Sequence, residues 1–92
     1  MVTRRLQISG RVQGVGFRYA MRHEAAQRGV RGWVRNRSDG SVEALFAGEA
    51  DAVEGLAAWA HQGPPGAKVT EVRALPAGED AVPDSFELRP TL

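Results

Sequence analysis

The sequence contains no cysteine among its 92 residues. This absence excludes disulfide bonds, thiolate nucleophiles and cysteine-ligated zinc. Only two histidines occur, His23 and His61, each on a predicted helix and without a second ligand at metal-binding spacing. We therefore expect both histidines to lie at the surface, and we expect neither a metal ion nor another cofactor. Ser9, Ser38 and Ser41 have no plausible histidine partner, so a serine nucleophile is not expected.

Long apolar stretches are also missing. The first ten residues lack the apolar segment of a secretory signal peptide, and no run approaches the roughly 18 apolar residues that a membrane span needs. These absences predict a cytoplasmic protein with no membrane partner. The length fits one domain over residues 1–92, and we expect a monomer.

Each half of the chain is poor in charge of one sign. Residues 1–46 carry nine arginines and three acidic residues, whereas residues 47–92 carry three basic and eight acidic residues. The basic half indicates an anionic partner, although a solvated basic face explains the same pattern. Arg35 and Arg37 are expected to be surface charges of a hairpin, and Trp33 and Trp59 are expected to pack rather than to contact a substrate.

Hydrophobic periodicity predicts the element order β-α-β-β-α-β, followed by a short terminal strand. The predicted elements are a strand over residues 4–12, a helix over 17–28, strands over 30–36 and 41–47, a helix after a Gly48 cap, and strands over 67–75 and 85–89. Asp39-Gly40 predicts a hairpin turn, and Val69 and Val72 break the alternation in a way that indicates a bulge. The order predicts a ferredoxin-like α+β sandwich, with two helices on one face of an antiparallel sheet.

Glycine is concentrated between the first strand and the first helix, in the segment GRVQGVGFR at residues 10–18. Glycines let the backbone bend tightly, and successive N–H groups at a helix N-terminus can form an anion site. Arg18 falls in the first helical turn, where its guanidinium matches the edge of a phosphate. Any tight β–α connection also needs glycine, so the pattern alone leaves both interpretations open.

Two segments, GRVQGVGFR at residues 10–18 and GVRGWVRNRSDGSVEALFAG at residues 29–48, resemble the acylphosphatase family. GPPGAKV at residues 63–69 resembles a further block of that family, so the resemblance covers essentially the whole chain. It implies a small ferredoxin-like enzyme that needs no metal. The implied reaction is hydrolysis of a carboxyl-phosphate mixed anhydride to a carboxylate and inorganic phosphate, which is also the expected competitive ligand.

The resemblance also implies roles for individual residues. Arg18 would bind the phosphate, and Asn36 would orient the attacking water. The family's phosphate cradle maps to Gln13, Gly14, Val15, Gly16 and Phe17. A sparse site of this kind suffices because the leaving carboxylate, whose conjugate acid has a pKa of about 4, needs no general acid.

Two alternatives to an acylphosphatase enzyme remain. The first is a non-catalytic ferredoxin-like module that binds an anion or RNA, but such an RNA-binding sheet displays roughly two or three exposed aromatics. The chain has six aromatic residues, and we assign Phe17 and Phe86 to the core, so no nucleic-acid partner is expected. The second is a domain of a larger carbamoyl-phosphate-processing protein, which the short chain and the lack of cysteine zinc motifs disfavour.

Overall fold

A five-stranded sheet with two helices forms the structure, a computed structural model that describes residues 1–92. In chain order the elements are β1 (Val2–Arg11), α1 (Phe17–Arg28), β2 (Arg31–Asn36), β3 (Val42–Gly48), α2 (Ala50–Ala60), β4 (Lys68–Leu75) and β5 (Phe86–Leu88). The predicted strand bounds differ from these by at most two residues. The helices cover one face of the sheet, which confirms the predicted ferredoxin-like α+β class.

The strands lie in the order β4-β1-β3-β2-β5. The pairs β1–β3, β1–β4 and β2–β3 are antiparallel, as predicted, but β5 pairs parallel with β2. The sheet is therefore mixed rather than wholly antiparallel. The reason is topological, because the chain leaves β4 at one edge, turns back and reaches the far edge, where β2 already runs in that direction.

The core lies between the sheet and the two helices. Alternate residues of β1, β2 and β3 point toward α1 and α2, as the two-residue period of a strand requires. The buried cluster consists of Leu6, Ile8, Val12, Phe17, Met21, Ala25, Val30, Val34, Val42, Ala44, Phe46, Val53, Leu56, Ala60 and Phe86. Phe17 and Phe86 belong to this core as predicted, and Trp59 packs its ring 5.4 Å from that of Phe17.

The helix ends follow from local backbone chemistry. Gly29 ends α1 in the left-handed conformation, with φ of 68°, and the N–H of Val30 donates to the carbonyl of Ala25 at 2.9 Å. The prediction that Gly48 caps α2 is wrong. Gly48 is the last residue of β3 and pairs with Val2, so the cap falls on Glu49, whose carbonyl accepts from Val53 N–H at 2.9 Å.

A β-bulge lies at the end of β1, just before the glycine-rich loop. Ser9 faces Glu71 and Gly10 faces Val69, so Thr70 is left without a partner, and the predicted bulge is confirmed. A β-carbon on Gly10 would lie 2.2 Å from the carbonyl oxygen of Lys68. The close approach requires glycine here, and a bulge of this type increases the local twist where the loop leaves the sheet.

The helix-free face of the sheet carries a layer of arginines over Trp33. Trp33 is only 1% exposed, as expected of a packing residue, and the guanidinium carbons of Arg5, Arg35 and Arg89 lie 5.9, 4.7 and 5.4 Å from its ring centre. Such contacts are typical cation–π distances. His23 and His61 are both exposed, as predicted. Neither helix is long and apolar enough to cross a bilayer.

Candidate active site

The loop between β1 and α1 has the backbone shape that its glycines predict. Gly14 and Gly16 adopt positive φ values of 74° and 78°, and Gly16 is the residue that precedes the first turn of α1. A β-carbon on either glycine would meet nothing within 4 Å. Backbone conformation, rather than lack of space, therefore requires glycine, and the outer surface of the loop is open to a ligand.

The loop presents a row of free donors. No backbone N–H group of residues 13–19 donates to another group of the protein, and the first to do so is Ala20, to the carbonyl of Gly16 at 3.0 Å. No side chain caps α1, and its first turn holds no acidic residue. The positive end of the helix and these N–H groups therefore point to an anion-binding site.

Arg18, the second residue of α1, adds a free positive charge to this end. Its side chain is half-buried and takes part in no ion pair, side-chain hydrogen bond or cation–π contact of the structure. Most other arginines of the basic half are paired, for example Arg4 with Glu54 and Arg28 with Glu24. Arg18 is therefore available for an external anion.

Asn36 lies at the same end of the sheet as the loop. It is the last residue of β2 and pairs with Val42, which pairs in turn with Ile8 of β1. Since β1 and β2 flank β3, their backbones are separated by about 10 Å. Asn36 shares the parity of Val34, so it faces the helices, and its buried Oδ1 accepts no hydrogen bond.

The side chains of the remaining residues predicted for the cradle are engaged within the protein, which leaves their backbone N–H groups free for an anion. Phe17 is buried in the core, and Val15 packs against that core. The side-chain amide of Gln13 is occupied elsewhere, because its Nε2 donates to the carbonyls of Arg37 and Ser41, both at 2.8 Å. These hydrogen bonds join the loop to the β2–β3 turn, and no feature of the sequence pattern had pointed to them.

A buried ionic cluster holds the strand segments around Asn36. Glu43 is fully buried on the helix-free face and accepts hydrogen bonds from Arg5 at 2.8 Å, Arg35 at 2.9 Å and Arg37 at 3.1 Å. Arg35 and Arg37, expected to be surface charges of the hairpin, are instead half-buried partners of this carboxylate. Burial raises the pKa of Glu43, but hydrogen bonds from Arg5 and Arg35, with their charges, outweigh burial and lower that pKa below its ordinary 4.5.

The β2–β3 turn is fixed by its own acidic residue. Asp39 accepts hydrogen bonds from the hydroxyl of Ser41 at 2.6 Å and from its N–H at 2.9 Å, which is the pattern of an Asx turn. These two bonds, with the nearby charge of Arg37, lower the pKa of Asp39. The turn therefore offers Gln13 a rigid partner.

The loop itself is not enclosed in a deep cavity. The largest cavity, about 660 Å³, runs along α1 beside the start of β5 and is lined at one end by Tyr19 and Arg22. A smaller one, about 160 Å³, lies beside Gly10 and Ser41. Neither includes Arg18 or Asn36, so a bound anion would leave its substituents open to solvent. No group of three or more histidine, aspartate or glutamate side chains is arranged to hold a metal ion.

Fold and site together define a small ferredoxin-like α+β protein with a glycine loop of unpaired N–H groups at the N-terminus of α1 and a carboxamide at the same end of the sheet, two strands away. A family model described as Acylphosphatase matches residues 4–88. The chain belongs to the acylphosphatase family.

Two acylphosphatases match this chain over nearly their whole length and nearly the whole of this chain. The chain is 50% identical to an acylphosphatase of Azoarcus sp. (strain BH72), over 99% of this chain and 92% of that protein. It resembles the crystal structure of acylphosphatase from Bacillus subtilis with a TM-score of 0.89 and 37% identity, over 97% of this chain and 99% of the other. It also resembles part of full-length HypF, with a TM-score of 0.75 and 28% identity, where it covers 12% of that chain.

Proposed function

We propose that this protein is an acylphosphatase, which hydrolyses an acyl phosphate to a carboxylate and inorganic phosphate without a metal ion. The observation that carries the proposal is one shared location. The unpaired N–H groups of residues 13–19, with Arg18 in the first turn of α1, follow β1 at the end of the sheet where Asn36 ends β2, and this common end supports the proposal.

In the proposed reaction the phosphoryl group lies in the loop. The N–H groups and Arg18 donate to its oxygens and offset the charge that builds up on them in the transition state. Asn36 orients a water through its side-chain carboxamide, which can both accept and donate a hydrogen bond, and so places the water oxygen in line with phosphorus. The new bond joins that oxygen to phosphorus, the bond from phosphorus to the acyl oxygen breaks, and its electron pair leaves with the carboxylate.

The water proton passes to a phosphate oxygen in this scheme. The carboxamide of Asn36 is not basic, and neither histidine lies on the loop. Neither Asn36 nor a histidine of the loop can therefore take the water proton. The scheme works because the carboxylate leaves without protonation, its conjugate acid having a pKa of about 4.

The proposal extends to a cytoplasmic monomer whose ligands are small molecules. An RNA-binding sheet of this fold stacks bases on exposed aromatics of the helix-free face. Here the aromatic residue of that face, Trp33, is 1% exposed beneath three arginines, so the face offers no exposed aromatic ring for stacking. An RNA mobility shift that weakens steeply with salt would instead support the binding-module alternative.

The test is phosphate release from benzoyl phosphate in the presence of a chelator. The wild-type protein should remain active, and Arg18→Ala should lose at least about 10²-fold in kcat/KM, the usual effect of removing one preorganised donor. Arg73→Ala is the matched control, because Arg73 is an exposed arginine of β4. Activity lost to the chelator would contradict metal independence, and near-wild-type turnover in Arg18→Ala would contradict the assigned role.

A further inference from the structure

The loop between β1 and α1, residues 12–16, is the phosphate loop of the proposed function. Gln13 makes the only hydrogen bonds between this phosphate loop and the segment that follows Asn36. Its Nε2 donates to the carbonyls of Arg37 and Ser41, at 2.8 Å each, across 24 and 28 residues of sequence. A carboxamide NH₂ has two hydrogens, so both are used. The side chain therefore reaches across the end of the sheet, and its two N–H donors are not free for a phosphate.

Strand pairing alone does not fix the loop relative to Asn36. The ladder between β1 and β3 ends at Ile8–Val42, and the ladder between β2 and β3 ends at Asn36–Val42. Residues 12–16 lie beyond the last of these pairs, and β1 and β2 never pair directly. The bridge from Gln13 connects the loop to the residue after β2, beyond the point where the β1–β3 and β2–β3 ladders end.

The acceptor end of this bridge is itself held firmly. The N–H of Arg37 donates to the carbonyl of Ser41 at 2.8 Å, which closes the turn, and the Arg37 guanidinium contacts the buried Glu43 at 3.1 Å. The peptide that follows Asn36 is thus held from the loop side by Gln13 and from the helix-free face by Glu43.

We propose that Gln13 is a positioning residue, which sets the distance between the phosphate loop and the water-orienting carboxamide of Asn36. The inference rests on the proposed function and deepens it. The loop would still hold phosphate without the bridge, because its free N–H groups and Arg18 belong to the loop and to α1. The alignment of the water with phosphorus would be lost instead.

The size of the expected effect follows from this division of roles. A misplacement of about 1 Å between reacting groups can cost about 10²-fold in rate. Gln13→Met keeps the side-chain length but removes both donors. We therefore expect kcat for benzoyl phosphate to fall by about 10- to 100-fold. The inhibition constant of inorganic phosphate should stay within about threefold of the wild-type value. That change is smaller than the tenfold change that corresponds to about 1.4 kcal/mol of binding free energy.

Gln7 provides a matched control. Its Nε2 also donates to the β2–β3 turn, to Asp39 at 3.3 Å and Ser41 Oγ at 3.1 Å, but it lies within β1, away from the loop. Gln7→Met should leave kcat within about twofold of wild type, since its bonds do not join the loop to Asn36. An equal loss of kcat in Gln7→Met and Gln13→Met would overturn the proposal, because general loosening of the turn would then explain both.

A double-mutant cycle separates positioning from a merely structural role. In an Asn36→Ala background, Gln13→Met should change kcat little, because the group it positions is already gone. Independent, multiplying losses would overturn the proposal, as would a parallel loss of phosphate binding. Gln13→Asn, which keeps the amide but is too short for both carbonyls, should also lose kcat and serves if Gln13→Met does not fold.

The outcomes also distinguish this inference from the proposed function. If the wild-type protein releases no phosphate from benzoyl phosphate, the proposed function fails. If the wild type is active and Gln13→Met turns over at the wild-type rate, only the role of Gln13 is wrong.

Discussion

The buried carboxylate of Glu43 offers the sharpest test of what stabilises this fold. Glu43→Gln keeps the size of the side chain but replaces a carboxylate oxygen by an NH₂ group, which cannot accept from a guanidinium. Both carboxylate oxygens are engaged. Oε2 lies 2.7 Å from Nη2 of Arg5, and Oε1 lies 2.8 Å from Nη2 of Arg35 and 3.1 Å from Nη1 of Arg37. The substitution therefore removes the charge and sets donors against donors in a buried site.

The magnitude follows from burial on each side of the pair. Removing one partner of a buried ion pair typically costs about 3–5 kcal/mol. The three arginine side chains keep 20–29% exposure and can regain water, so the lower end applies, about 3 kcal/mol. For a domain of this size that lowers the melting temperature by roughly 12–24 °C, at about 4–8 °C per kcal/mol.

The pH dependence of this loss has a definite sign. The pKa of Glu43 is lowered in the folded protein from its ordinary 4.5, so the carboxylate contributes stability that is fully present above pH 4.5. That contribution is lost as the pH falls through the lower, folded-state pKa. The free energies of unfolding of wild type and Glu43→Gln should therefore differ most at pH 7 and converge as the pH falls below 4.5.

Urea unfolding of both proteins across this pH range is the assay. Glu87→Gln is the control, because Glu87 is exposed and pairs only with Arg89 at 3.3 Å, so its loss should cost less than about 1 kcal/mol. Equal midpoints for wild type and Glu43→Gln at pH 7, or a gap that does not change with pH, would refute the reasoning.

Three further substitutions test the site and its control position. Asn36→Ala should lower kcat for benzoyl phosphate by about 10²-fold, by analogy with the loss of one preorganised group, and leave inhibition by phosphate nearly unchanged. Steady-state kinetics with phosphate as inhibitor measures both quantities. Equal losses of turnover and of phosphate binding would indicate a structural role. Gly16→Ala and Gly29→Ala place alanine at φ of 78° and 68°, each at a cost of about 1–2 kcal/mol in thermal unfolding. Only Gly16→Ala should also weaken phosphate binding, and calorimetric titration showing equal affinity in both variants would contradict the loop assignment.

Local features of the chain were predictable because their causes are local. The helical stripe that ends at Gly29 and the glycines at positions 14 and 16 follow from short-range periodicity and from φ values that only glycine adopts easily. The resemblance to a family then placed Arg18 and Asn36, whose spacing of 18 residues carries no geometric information by itself.

One local prediction nevertheless failed, because a longer-range contact decided it. Glycine is one of the residue types that cap helices, but the pairing of Gly48 with Val2 extends β3 through Gly48 and shifts the start of α2. The backbone of one residue cannot serve both the last strand pair and the helix cap, and the strand pairing prevailed.

The sequence by itself determined the order of the elements and the position of the glycine loop, and its resemblance to a family supplied the candidate site residues. Tertiary structure alone decided that β5 pairs parallel with β2, that Glu43 is buried among three arginines, and that Gln13 reaches the turn after Asn36. The contacts of β5 with β2, of Arg5 with Glu43 and of Gln13 with the turn join residues at least 24 positions apart, and those of Arg35 and Arg37 with Glu43 cross a strand pair, so all depend on strand register and sheet order. Neither can be deduced from the periodicity of one segment, because a strand's pattern says which face is apolar and not which neighbour lies opposite.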